Sequence, residues 1–136
     1  MRAFISAAIL LAASLPAAAL TLDDYPEYRG TWSLNCKNPS ADKVQVDIDK
    51  VIITHTGTPH EYRGVELSHT FVGGARADGK NAWIMISKVP DGEYVFIAEV
   101  PGHKRKGPLV LDEQGDGAGA EVKPLWGKRF QKCPSR

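Results

Sequence analysis

The sequence predicts an all-β fold, an antiparallel barrel or sandwich of about eight strands, with one disulfide tying the first strand to the C-terminal end. Three observations predict it. Short segments that alternate apolar and polar residues recur along the chain, and no window after residue 20 carries helical periodicity of useful length. Thirteen glycines and nine prolines suit many short strands joined by tight turns. The two cysteines, Cys36 and Cys133, fall at the two ends of this β-rich stretch.

Residues 1–19 read as a secretory signal. Arg2 supplies the positive start, Ala3 to Leu15 is an almost continuous apolar run, and Pro16 ends it before the small-residue site Ala17-Ala18-Ala19. That run is about 13 residues, whereas a membrane anchor, the alternative, needs roughly 20. Leu20 rather than a cysteine follows, so no lipid tether is expected. No later stretch is apolar enough to span a membrane. The protein is therefore expected in the periplasm or secreted. In such an oxidising setting an isolated cysteine pair most simply forms a disulfide, since Cys36 and Cys133 make no C-x-x-C pair. Closing so long a loop would stabilise the fold by roughly 4–5 kcal/mol in the chain-entropy model.

The remaining residues divide into a lead-in (20–29) and a single β domain (30–136). Thr31 to Cys36 alternates, with Trp32, Leu34 and Cys36 on one face. Val44, Val46 and Ile48 alternate with Gln45, Asp47 and Asp49, and Val51 to Thr54 continues or pairs back. Glu61 to Val65 and Leu67 to Val72 are shorter candidates, followed by turn residues at Gly73-Gly74 and Ala77 to Lys80. Ala82 to Ser87 is a continuous apolar strand. Pro90-Asp91-Gly92 is a turn, in which proline presets φ and glycine accepts a positive one. Glu93 to Val100 returns as the partner strand, with apolar residues on both faces. That pattern fits either an interface outside the core or a strand covered on both sides. Leu109 to Leu111 adds a strand, and Leu125 to Lys132 ends the domain as a strand or short helical turn.

The opening Gly30-Thr31-Trp32 resembles the Gly-x-Trp signature of calycins, the lipocalin and avidin-like up-and-down barrels. The resemblance implies that Trp32 plugs one end of a barrel, with a basic residue of the last strand, Lys128 or Arg129, lying across its ring. Gly30, Trp32 and Arg129 are then structural. In profile, an exported all-β chain with one disulfide and no catalytic set is similar to the small periplasmic inhibitors of lysozymes and of secreted metalloproteases.

No catalytic set is visible. Ser33, Ser40, Ser68, Ser87 and Ser135 lack a Gly-x-Ser-x-Gly setting. His55, His60, His69 and His103 have no H-x-H or H-E-x-x-H spacing, so they read as surface histidines and no metal or cofactor is expected. Asp112 to Gly117 faintly copies a calcium loop, but Lys123 stands where the bidentate glutamate belongs. The sharpest charge feature is His103-Lys104-Arg105-Lys106, between Gly102 and Gly107-Pro108. With Lys123, Lys128, Arg129 and Lys132 it would form a patch for an anionic partner, or else a solubilising loop tip.

The chain carries 17 basic and 16 acidic side chains, and losing Arg2 leaves them equal, which argues against nucleic acid as a partner. The expectation is a non-enzymatic binding or inhibitor protein that recognises another protein through strand-end loops. The candidate loops are Thr56 to Tyr62, with His60 and Tyr62, and Pro101 to Pro108, with His103, Lys104, Arg105 and Lys106. The alternative is a calycin-like carrier of a small ligand, and a third reading is a metal-dependent enzyme using the histidines.

Overall fold

The computed structural model describes residues 20–69, 81–102, 105–113 and 119–135. The signal-like segment, the turns expected between 73 and 80, His103, Lys104 and residues 114–118 lie outside them. The described residues form nine antiparallel strands in a nearly closed barrel: β1 (Gly30–Ser33), β2 (Lys43–Val46), β3 (Val51–His55), β4 (Thr58–Tyr62), β5 (Gly64–Ser68), β6 (Asn81–Ser87), β7 (Phe96–Pro101), β8 (Leu109–Glu113) and β9 (Arg129–Lys132). Two 3-10 turns, η1 (Pro26–Tyr28) and η2 (Ala120–Leu125), complete the elements.

The strand order is β4-β3-β2-β1-β9-β8-β7-β6-β5. Every strand pair is antiparallel, so the chain meanders and the ring closes where β1 meets β9. The two strands at the ends of this order, β4 and β5, are separated in sequence only by Arg63. They are the halves of one bent stave: β4 pairs with β3, and β5 pairs with β6. The bend needs a glycine, because a Cβ on Gly64 would collide with the Ser87 hydroxyl and the Val89 carbonyl oxygen. Pro59 is tolerated in β4 because that half-stave has a strand on one side only, so a missing N–H can face away from the ladder.

Strand parity decides what fills the barrel. Val44, Val51, Ile53, Ile84, Ile86, Phe96, Leu109 and Phe130 all point inward and are buried in one core. Among the described residues, only two buried ones are polar, Ser33 and Ser87. Each donates to a backbone carbonyl, of Asp42 and Val89 respectively, as buried hydroxyls must.

Several expectations change. The first strand stops at Ser33 and leaves Leu34 and Cys36 exposed. β2 stops at Val46, so Ile48 is exposed, and Val51 to His55 pairs back as β3. At the Val89–Gly92 turn the residue with positive φ is Asp91 (φ 56), not Gly92. Glycine suits position 92 for another reason: a Cβ there would lie 3.0 Å from the Val89 oxygen. The partner strand begins at Phe96 rather than Glu93. Both of its faces are buried, because Ile97 joins Trp83 and Met85 in a second small cluster on the outer face.

The lead-in belongs to the barrel. Leu20 bridges Leu67 of β5, and Leu22 and Tyr28 are buried in the main core. The Trp32 indole N–H donates to the Tyr28 carbonyl at 3.1 Å. The disulfide joins Cys36 to Cys133 with Cα atoms 5.4 Å apart and a sequence separation of 97, strapping the segment after β1 to the end of β9. No helix among the described residues is long and apolar enough to cross a membrane.

Candidate functional site

The meander assigns each loop to one mouth of the barrel. The β3–β4 turn, the segment 88–95 and the η2 segment emerge at one end. The β7–β8 loop, η1 and the C-terminal residues after β9 gather at the other. The two loops singled out in the sequence therefore sit at opposite mouths and do not form one surface.

The first of them is mostly strand. Thr58–Tyr62 is β4, and the loop is only Thr56-Gly57, with φ of 47° and 83°. Two successive positive φ values are the geometry of a tight hairpin. Asp42 holds it: one carboxylate oxygen accepts the Thr56 N–H at 2.9 Å, and the other lies 3.2 Å from Nδ1 of His55. Tyr62 is not a surface residue. It is buried, packs edge-on against Phe96, and donates its hydroxyl to Glu121 at 2.6 Å. Burial, together with the Glu121 hydrogen bond and charge, holds that hydroxyl well above the usual tyrosine range. The same bond holds the Glu121 carboxyl below its usual range, aided by its backbone and by the charges of Lys88 and His60. Val122 and Leu125 of η2 are fully buried in the core, so this mouth is plugged.

The second loop is different. Arg105 and Lys106 are exposed and stand between two clefts. On one side is a trough of about 600 Å³ on the outer face of the sheet, lined by Glu99, Val110 and Arg129 as well as the loop. Glu99, Val110 and Arg129 are direct cross-strand neighbours on β7, β8 and β9, which sets them in a row. Asn81 donates to Glu99 at 2.5 Å and fixes that carboxylate. On the other side is a mouth cleft of about 470 Å³ lined by Tyr28, Trp32, Pro101, Lys132 and Pro134.

Lys132, rather than Lys128 or Arg129, lies over Trp32, its Nζ 5.4 Å from the ring centroid. Parity is the reason. Phe130 points inward, so Lys132 shares its side while Arg129 faces out. The Lys132 ammonium donates to the Glu27 carbonyl. Burial lowers its pKa from the usual lysine value, partly offset by the charge of Glu27.

Charge pairing separates the arginines. Arg29 meets Asp23 at 3.6 Å and Arg63 meets Glu61 at 2.5 Å. Arg105 and Arg129, with Lys106, form no ion pair among the described residues. All three line the trough. The sequence places Arg105 and Lys106 at an exposed loop and offers Arg129 both as a structural partner of Trp32 and as part of a basic patch with that loop; Arg129 faces the trough and not Trp32. Lys123 lies in η2 and Lys128 just before β9, toward the opposite mouth. His69, set aside as a surface histidine, packs edge-on against Tyr25 with ring centroids 4.8 Å apart. No group of three His, Cys, Asp or Glu among the described residues has metal-binding geometry.

No protein-family model matches this chain, and neither a curated protein nor a solved structure matches it.

Proposed function

We propose that this is an exported, non-enzymatic binding or inhibitor protein that engages another protein at the mouth carrying Arg105 and Lys106. The observation that carries the reading is the pair of clefts flanking that loop, set on a barrel whose own interior is filled by side chains. A packed, disulfide-strapped frame with one open mouth suits recognition, because a rigid scaffold lowers the ordering cost of binding. The disulfide fits an oxidising compartment outside the cytoplasm, and the segment 1–19 supplies the export signal.

The test is affinity capture from a periplasmic extract with the purified protein as bait, beside inhibition assays on a panel of lysozymes and secreted proteases. A specifically retained protein or an inhibited enzyme is expected. No retained protein together with no inhibition overturns the reading. A second reading, a small-ligand carrier, draws on the apolar mouth cleft over Trp32. It requires a ligand small enough for that cleft, because the described lumen itself is occupied.

A further inference from the structure

We infer that the partner is recognised through an acidic, extended segment with one large apolar side chain. Its carboxylates would lie along the trough beside Arg105, Lys106 and Arg129, and its apolar residue would enter the mouth over Trp32. This rests on the protein-binding reading above and names the chemistry of that site.

Four features support it. First, among the described residues the cations here have no ion-pair partner, whereas Arg29 and Arg63 elsewhere are paired. An unpaired, exposed guanidinium costs the folded protein little and is ready to take a carboxylate in a two-pronged hydrogen bond. Second, the chain is nearly neutral overall, yet Arg105, Lys106, Arg129 and Lys132 outnumber Glu99 and Glu27 around the two clefts, and that local excess would speed encounter with an acidic surface.

Third, the trough is not uniformly basic. Glu99 sits in its floor, fixed by Asn81. A dense polyanion such as a sulfated glycan would be repelled there. A peptide places neutral N–H donors between its carboxylates, and one of those can meet Glu99. Fourth, Pro101, Arg105, Lys106 and Gly107 border both clefts, so the trough and the mouth share a wall. The mouth cleft is walled by Pro101, Pro134 and the stem of Lys132, with the nearly buried rings of Tyr28 and Trp32 at its base and Glu27 at its edge. Such a pocket suits one Leu, Phe or Met side chain, the kind of anchor that carries most binding energy at protein interfaces.

The experiment has two arms on the purified protein. In the first, amide chemical shifts are followed while three capped pentapeptides are added: Glu-Glu-Leu-Glu-Glu, Glu-Glu-Gly-Glu-Glu and Lys-Lys-Leu-Lys-Lys, with dextran sulfate as a fourth probe. The leucine-bearing acidic peptide is expected to shift Arg105, Lys106, Arg129 and the Trp32 indole. It should bind at least about tenfold more tightly than either other peptide, and weaken as salt rises. Arg105→Glu/Arg129→Glu should abolish those shifts while leaving the rest of the spectrum in place, which reports an intact fold. No shift at millimolar peptide, or equal binding of the basic peptide, overturns the inference. So does tighter binding of dextran sulfate, which would assign the trough to a glycan.

In the second arm the same double variant replaces the wild type in the capture assay. Loss of the retained protein agrees with the inference. Retention of that protein at full strength overturns the inference while leaving the protein-binding reading standing.

Discussion

At the η2 mouth, Val122 and Leu125 are sealed into the core and the Tyr62 hydroxyl meets Glu121. At the opposite mouth, Arg105, Lys106 and Arg129 surround open clefts, and no carboxylate among the described residues is paired to them. Both mouths contain a large ring: Phe96 and Trp126 pack at 5.4 Å in one, and Trp32 lies under Lys132 in the other. The difference lies in what covers the ring. A 3-10 turn closes the first mouth through the buried side chains of Val122 and Leu125, whereas Tyr28, a single ammonium and the Arg105–Lys106 loop border the second. Buried apolar side chains occupy both ends, whereas the exposed cations Arg105, Lys106 and Arg129, without an ion-pair partner among the described residues, gather at one.

The largest test of that division is Leu125→Ala. It leaves a cavity in the plug and should cost about 3 kcal/mol in urea unfolding. A loss below about 1 kcal/mol would show that the plug is not part of the cooperative core.

Next comes Tyr62→Phe, which removes the bond to Glu121 and should cost about 1–2 kcal/mol near neutral pH. Its pH dependence is two-sided. The Glu121 carboxyl is held below its ordinary value of 4.5, so its contribution is full above that pH and fades as pH falls through the lowered native value. The Tyr62 hydroxyl is held above 10.0, so its contribution is full below that pH and fades as pH rises beyond it. The difference between wild type and variant should be flat between about pH 5 and 9 and shrink on both sides. A difference that is independent of pH would place the energy of this contact in packing rather than in the hydrogen bond.

A smaller change, of opposite sign, is expected at the β3–β4 turn. Thr56 adopts φ 47°, which a β-branched residue reaches only at a cost. Thr56→Asn should stabilise by about 0.5–1 kcal/mol, read as a higher urea midpoint with an unchanged slope. The smallest effect belongs to the open mouth. Arg105→Glu/Lys106→Glu should alter stability by no more than about 0.5 kcal/mol, because neither cation has an ion-pair partner to lose among the described residues. A loss near about 2 kcal/mol would mean that the loop is built into the fold and is not a free binding edge.

The sequence carried the open mouth more clearly than the closed one. A run of charge between glycines is visible in any reading, and Arg105 and Lys106 stand exposed where it placed them. The plug was hidden because a six-residue 3-10 turn has no periodicity to detect, and Pro124 inside it reads as loop. Tyr62 fell in both a candidate loop and the candidate strand Glu61 to Val65, and only the bent stave, with β4 running Thr58–Tyr62, turns its ring into the core. Leu22 was lost among polar neighbours, although its burial gives the lead-in its place. The β6–β7 hairpin was legible because an apolar run on either side of Pro-Asp-Gly permits little else. Which of Lys123, Lys128, Arg129 and Lys132 would meet Arg105 was not. It depends on β9 lying next to β8, which local pattern cannot show.

The β1–β9 pairing has a kinetic consequence. The ring closes between the first strand and the last, and the disulfide spans a sequence separation of 97 at the same seam. A chain emerging from its N-terminus can form the β1–β2–β3 meander early, but the cylinder cannot shut until β9 is available. Contacts so distant in sequence slow folding. Until β9 docks the sheet stays open along β1, and the Cys36–Cys133 bond strapped across that seam holds the last closure in place.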